Sequence, residues 1–355
     1  MNDFLELLKD HITIRLSQLK TLHDGALALI KSGTIGIASI GRNIESNARE
    51  KHRIKRMDRF IGNQRLDRKA IASGIFKLLC ENKKRTYVCV DWTDAEDKVN
   101  TFIEASIPTR SRSIIFWTRV QSKNWDREGS MTRAEEEFLE ELRQIIPEKT
   151  KVVILADRGF GKVNFFRKVE KLGFEYIVRV TMRNWIHSRK YIGLIEDIRI
   201  KPGFRKDFCE VIFTKEHQWN CRLVGLFEIG QKEPWFLATN TKYPFRSVIN
   251  GYSRRFEIEE TNRDIKNERN GLRLRGTKFS STQRLERMLS LVSVAYALMV
   301  IAGDYGEKRG IHRRLMANTS RKRTLALWRV GQYVILHMRL EVMKLLKHAA
   351  ALPVA

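Results

Sequence analysis

Phe4, Leu5, Leu7, Leu8, Ile12, Leu16 and Leu19 recur at the spacing that gathers side chains on one helical face. Helical periodicity with almost no strand signal continues to about residue 80. It is punctuated by Gly33, Gly36 and Gly41 in SGTIGIASIGRN, which predicts a turn and a short helix. The pattern changes at residue 86, where three strand-like apolar runs follow closely, over 87–92, 101–107 and 114–120. An amphipathic acidic helix is predicted over 132–146, ending before Pro147, then a strand at 152–156, a helix at 163–172 and a strand at 176–180. A doubly wound α/β sheet alternates strand and helix from its start, so three successive strands argue against one.

Further strand-like runs at 208–214, 222–229 and 235–239 form a β-rich block over 182–245. Three helices are predicted beyond it, at 246–268, at 282–302 (apolar) and at 324–347 (basic and amphipathic). The apolar core of the second, 288–302, is too short to span a bilayer comfortably and reads as a buried helix, so no membrane association is expected.

Charge narrows the class of partner. Lys and Arg outnumber Asp and Glu by 67 to 41, a net charge of +26 spread along the chain, which makes nucleic acid the default partner. A basic stretch, Arg49, Lys51, His52, Arg53, Lys55, Arg56 and Arg59, falls in the helical first 80 residues and suits a DNA-binding domain; a helical bundle packed on the rest of the chain is the alternative. Cys80, Cys89, Cys209 and Cys221 show neither CxxC nor paired His spacing, which disfavours zinc and fits a reduced cytosolic protein. The beginning MNDFLELLKDH lacks a basic segment and a long apolar run, unlike a signal peptide.

Candidate chemistry rests on acids and one spaced motif. Asp91 ends the first strand in VCVDWTD, Asp157 follows the fourth in VILADRGFG, and Glu259 lies on the 246–268 helix. Tyr252, Arg255, Glu259 and Lys266 follow Y-x2-R-x3-E-x6-K, offsets that return to one stripe of a continuous helix. That pattern resembles the YREK signature of DDE transposases of bacterial insertion sequences, insertion-sequence family four. The order βββαβαβ matches the RNase H-like fold such enzymes use.

The resemblance implies an RNase H-like α/β catalytic core over 81–181 and 246–303. The 182–245 block would be an inserted β segment closing over the DNA end, 1–80 a helical DNA-binding domain and 304–355 a basic helical region. Neighbouring first and fourth strands, crossed by the last helix, would bring Asp91, Asp157 and Glu259 together. Close like charges need a neutralising cation, and oxygen ligands suit two Mg²⁺ or Mn²⁺ ions working in phosphoryl transfer. Asp94, Glu96 and Asp97 compete for the first position and Glu257 and Glu260 for the third, but strand end and motif select Asp91 and Glu259.

Tyr252, Arg255 and Lys266 would contact phosphates at the DNA end. Arg158 follows the second carboxylate, and Arg179 in YIVRV resembles an arginine that reaches the end from the fifth strand. Trp235 would stack a flipped base, with packing in a sheet as its alternative. The implied partners are double-stranded DNA, as terminal inverted repeats and target, and a second copy of the chain, in a bacterial cytoplasm. The 324–347 helix is a candidate for the dimer contact. Two other functions are a nuclease without strand transfer and an inactive DNA-binding inhibitor of transposition.

Overall fold

Strand β1 (Arg85–Asp94) is the axis of the sheet: it pairs antiparallel with β2 (Asn100–Pro108) on one side and parallel with β4 (Lys151–Ala156) on the other. The computed structural model describes residues 2–81, 83–95, 99–122, 130–320, 324–338, 348–349 and 352. β3 (Ser113–Ser122) forms the edge beyond β2, and β5 (Glu175–Arg179) pairs parallel with β4. The strand order β3-β2-β1-β4-β5, with three antiparallel strands first, is the arrangement expected of an RNase H-like sheet. β4 is buried along all but its first residue, as befits a parallel strand covered on both faces. The helices α6 (Ser130–Ile145) and α7 (Val163–Lys171) supply the crossovers.

The β-rich block does not stand apart. β10 (Trp235–Thr239) pairs antiparallel with β5, and β9 (Trp219–Phe227), β8 (Phe204–Phe213), β6 (Trp185–Ser188) and β7 (Tyr191–Leu194) continue the same ten-stranded sheet. β6 and β7, unanticipated from the sequence, are four residues each and meet through a tight turn at Arg189 and Lys190.

The first 80 residues form five helices, α1 (Asn2–His11), α2 (Leu16–Ser32), α3 (Ile37–Asn43), α4 (Glu50–Gly62) and α5 (Arg68–Cys80). Their apolar faces share one core with the sheet and with α10 (Thr282–Lys308), from Phe4 to Leu352. The bundle packs on the rest of the chain, and Lys51, His52, Lys55 and Arg59 of α4 face solvent. By length and composition α10 could cross a membrane, yet 94% of its apolar window is buried inside the protein. At 27 residues it is longer than the expected 282–302. α11 (Leu327–His337) crosses it closely: a Cβ on Gly331 would lie 1.7 Å from the Met299 carbonyl oxygen. The expected 324–347 helix is seen only in this part, and 339–347 lie outside the described residues.

The expected single helix over 246–268 is two, α8 (Phe245–Ser253) and α9 (Phe256–Lys266). Between them the amides of Arg254, Arg255, Glu257 and Ile258 bond three residues back, a tighter winding that shifts the helical phase. α9 packs on β2 and β3, and α8 on β5.

The free edge of β3 is closed by side chains, which satisfies backbone groups that would otherwise be unpaired. Glu286 accepts from the Val120 amide at 2.9 Å, Thr261 accepts from the Ser113 amide at 2.9 Å, and Arg68 donates to the Thr118 carbonyl. Arg68 and Glu286 also form a largely buried ion pair at 2.8 Å. Glu286→Ala strands both the arginine and the edge amide and should cost about 3 kcal/mol in urea unfolding. A loss below about 1 kcal/mol, as for a surface pair, would show that the closure is dispensable.

Candidate active site

Alternation along β1 puts Tyr87, Cys89, Asp91 and Thr93 on one face. Tyr87 and Cys89 lie in an apolar cluster with Val153, Leu155, Val248, Tyr252 and Ile258 beneath α8 and α9. Two residues on, the same face leaves the core at Asp91. Val90 is in register with Ala156 across the parallel β1–β4 pair, so Asp91 and Asp157 follow at the same level on adjacent strands. Asp157 caps the turn after β4, its Oδ1 accepting from the Gly159 amide at 2.8 Å.

Arg255 joins this pair of strands to α9. Its Nη1 lies 3.5 Å from Asp91 Oδ2 and its Nη2 donates to Glu259 Oε1 at 2.8 Å. The Arg255 Nε is buried with no hydrogen-bond partner among the described residues. Tyr252, Arg255 and Lys266 are 1, 9 and 5% exposed, while the Glu259 side chain stands half in solvent. Lys266 donates to Thr93 Oγ1 and lies 5.0 Å above the Phe102 ring. The burial arises because α8 and α9 lie on the sheet, which spacing alone does not reveal.

Burial pushes the Asp91 carboxyl up to about 7; Arg255 opposes this, Asp157 and Glu259 add to it, and Lys266 opposes it. Asp157 and Glu259 are thus both close enough to act on the charge of Asp91. Burial raises the Tyr252 phenol, against the Arg255 and Arg179 guanidiniums nearby.

A fourth acid was not anticipated. Glu104 is fully buried on β2, directly opposite Asp91 in register. It accepts from Asn262 at 2.5 Å, while its other oxygen has no partner among the described residues. Burial raises it to about 7, with Lys266 pulling the other way. The available signal was a lone Glu inside the apolar run TFIEASI.

The competing acids separate. Asp94 is exposed at the strand's end, Glu96 and Asp97 lie outside the described residues, and Glu260 pairs with Arg263 at 2.8 Å. Glu257 is held under α9 beside Arg254.

Trp235 is half-buried at the start of β10, its ring centroid 5.4 Å from both the Tyr252 and the Phe256 ring. Arg179 ends β5 and bonds Glu233 at 2.6 Å, and Arg158, next to Asp157, lies 3.6 Å from the same oxygen. The candidate residues thus gather around the C-terminal ends of β1, β4 and β5, with Lys266 set further toward β2.

Among the described residues no group of three or more His, Cys, Asp and Glu side chains is set to hold a metal ion. Asp91, Asp157 and Glu259 nevertheless fit a hard divalent cation in donor chemistry, being all-oxygen and mutually repelling, with Arg255 already supplying positive charge between two of them.

The Transposase DDE domain model matches residues 120–298, half of the chain. The protein belongs to that family. The matched stretch contains Asp157 and Glu259 and begins beyond Asp91. No curated protein matches the chain. A solved piggyBac transposase synaptic complex with hairpin DNA aligns over 95% of this chain and 76% of its own, at 11% identity and a TM-score of 0.44, a likeness too loose to bear weight.

Burial raises Glu257 to about 8, opposed by Arg254, a backbone hydrogen bond at Thr109 and Arg112. The unfolded chain releases this proton near the ordinary glutamate value of 4.5, so the native state binds the extra proton between that pH and about 8. Stability from this group falls as pH rises through that window. Urea unfolding from pH 5 to 8.5 should show wild type losing stability relative to Glu257→Gln as pH rises. Parallel curves would mean that Glu257 is not held protonated.

Proposed function

We propose that this protein is a DNA transposase of the YREK type, cutting at transposon ends and joining the freed ends to target DNA. The observation that supports it most is the convergence of Asp91, Asp157 and Glu259 from β1, β4 and α9 in a chain of the DDE family. Asp91, Asp157 and Glu259 would hold Mg²⁺ or Mn²⁺, two ions per site; bound there, the ions would supply charge neutralisation for the attacking and leaving oxygens.

Water attacks the phosphodiester at the element's end and releases a 3′-hydroxyl. That hydroxyl attacks a phosphodiester of the opposite strand, giving a hairpin and releasing the flanking DNA with its own 3′-hydroxyl. Water then opens the hairpin, and the regenerated 3′-hydroxyl attacks target DNA, displacing a target 3′-hydroxyl. The chain's own residues orient the strand for these displacements. The Arg255 guanidinium, bridging Asp91 and Glu259, sets the charge at the point where the strand would lie. Arg158 and Arg179 offer guanidiniums at the ends of β4 and β5, and the half-buried Trp235 offers an aromatic face to a base. Tyr252 braces the Trp235 ring from below, and Lys266 offsets the buried charge of Glu104 and Asp91. Two protomers would hold two ends in a paired complex in a bacterial cytoplasm.

The test is cleavage of end-labelled DNA carrying the element's own ends, with Mg²⁺. Asp91→Ala, Asp157→Ala and Glu259→Ala should each lower cleavage by roughly a hundredfold or more while leaving end binding. Normal cutting by any one removes that residue from the site. Wild-type cleavage without joined products would favour a nuclease, and tight end binding without cleavage would favour an inhibitor of transposition.

A further inference from the structure

Glu233 lies in the β9–β10 loop, one residue before Pro234 and two before Trp235. A single oxygen of its carboxylate, Oε1, is shared by Arg179 Nη2 at 2.6 Å and Arg158 Nη1 at 3.6 Å. The two guanidiniums come from the ends of neighbouring parallel strands, β5 and β4, and Arg158 adjoins Asp157. Two cations therefore face one anion beside the candidate catalytic carboxylates.

The contact is accessible. The side chains of Arg158, Glu233 and Arg179 are 62, 45 and 20% exposed, so the pair gains little in water and can be exchanged. The loop that presents the acid is exposed over Glu228, Ile229 and Gly230, and Gly230 takes a φ of 91°. A carboxylate and a phosphate diester present similar oxygen pairs to a guanidinium fork.

We propose that Glu233 is an internal stand-in for a DNA backbone phosphate. It fills the subsite made by Arg158 and Arg179 and leaves it when a strand seats beside Asp157. The inference rests on the DNA-processing reading above. In the free protein Glu233 screens two cations from DNA, so every strand entering must first displace it. The loop that surrenders the arginines runs directly into Trp235, which couples release of Glu233 to the position of that ring.

The experiment measures affinity of the full chain for a fluorescent mixed-sequence duplex by anisotropy, over a range of salt concentrations and without divalent metal. Glu233→Gln should bind about fivefold more tightly than wild type. The gain should vanish when Arg158 and Arg179 are both alanine. Glu228→Gln, the same charge change in the same loop, should give a clearly smaller gain. No gain from Glu233→Gln, an equal gain from Glu228→Gln, or a gain that persists without the two arginines would each overturn the proposal. Binding is read apart from chemistry, so the two readings fail separately. Absent cleavage with the binding pattern intact sinks only the transposase chemistry, and normal cleavage with no binding gain sinks only the role of Glu233.

Discussion

The site depends on one guanidinium placed between two carboxylates. Asp91 sits where β1 leaves the core, Glu259 comes in from α9, and Arg255 reaches both. Without that positive charge, burial and the repulsion of Asp157 and Glu259 would drive Asp91 further toward its neutral form. Arg255 thus favours the ionised form of Asp91 in the free protein.

The rest of the fold serves this placement. The parallel β1–β4 pair brings Asp91 and Asp157 to one level, and the tightened winding between α8 and α9 turns Arg255 and Glu259 toward them. Behind them, Asn262 and Lys266 bind α9 to Glu104 and Thr93 on the face of β2 and β1. In front, Trp235, Tyr252 and Phe256 form an aromatic wall where the inserted strands meet the motif helices. Because β10 extends the sheet from β5 with Leu237 opposite Arg179, the start of β10 at Trp235 and the loop residue Glu233 lie beside Arg179.

Much of the core was legible because its strands are long and apolar. The runs at 87–92, 101–107, 114–120 and 152–156 all became paired strands of the expected order. β6 and β7 were not, since four residues with mixed exposure leave no periodic signal. The division of α8 from α9 was hidden because residues 254–256 contain neither Pro nor Gly, and every residue there is compatible with a helix. Spacing found Tyr252, Arg255, Glu259 and Lys266 but gave no account of their burial, which arises only when α8 and α9 lie on the sheet. Glu104 becomes meaningful only once strand register sets it opposite Asp91. Periodicity likewise marked the first 80 residues as helical without saying that their apolar faces meet α10.

The central claim is that Asp91, Asp157 and Glu259 form one site for a divalent cation. Its most direct measurement is a Mn²⁺ titration of the DNA-bound full chain, followed by electron paramagnetic resonance, for wild type and for each acid replaced by alanine. The account predicts bound Mn²⁺ in the wild type and its loss or marked weakening in all three variants. Uptake unchanged in any variant, or none in the wild type, would contradict it.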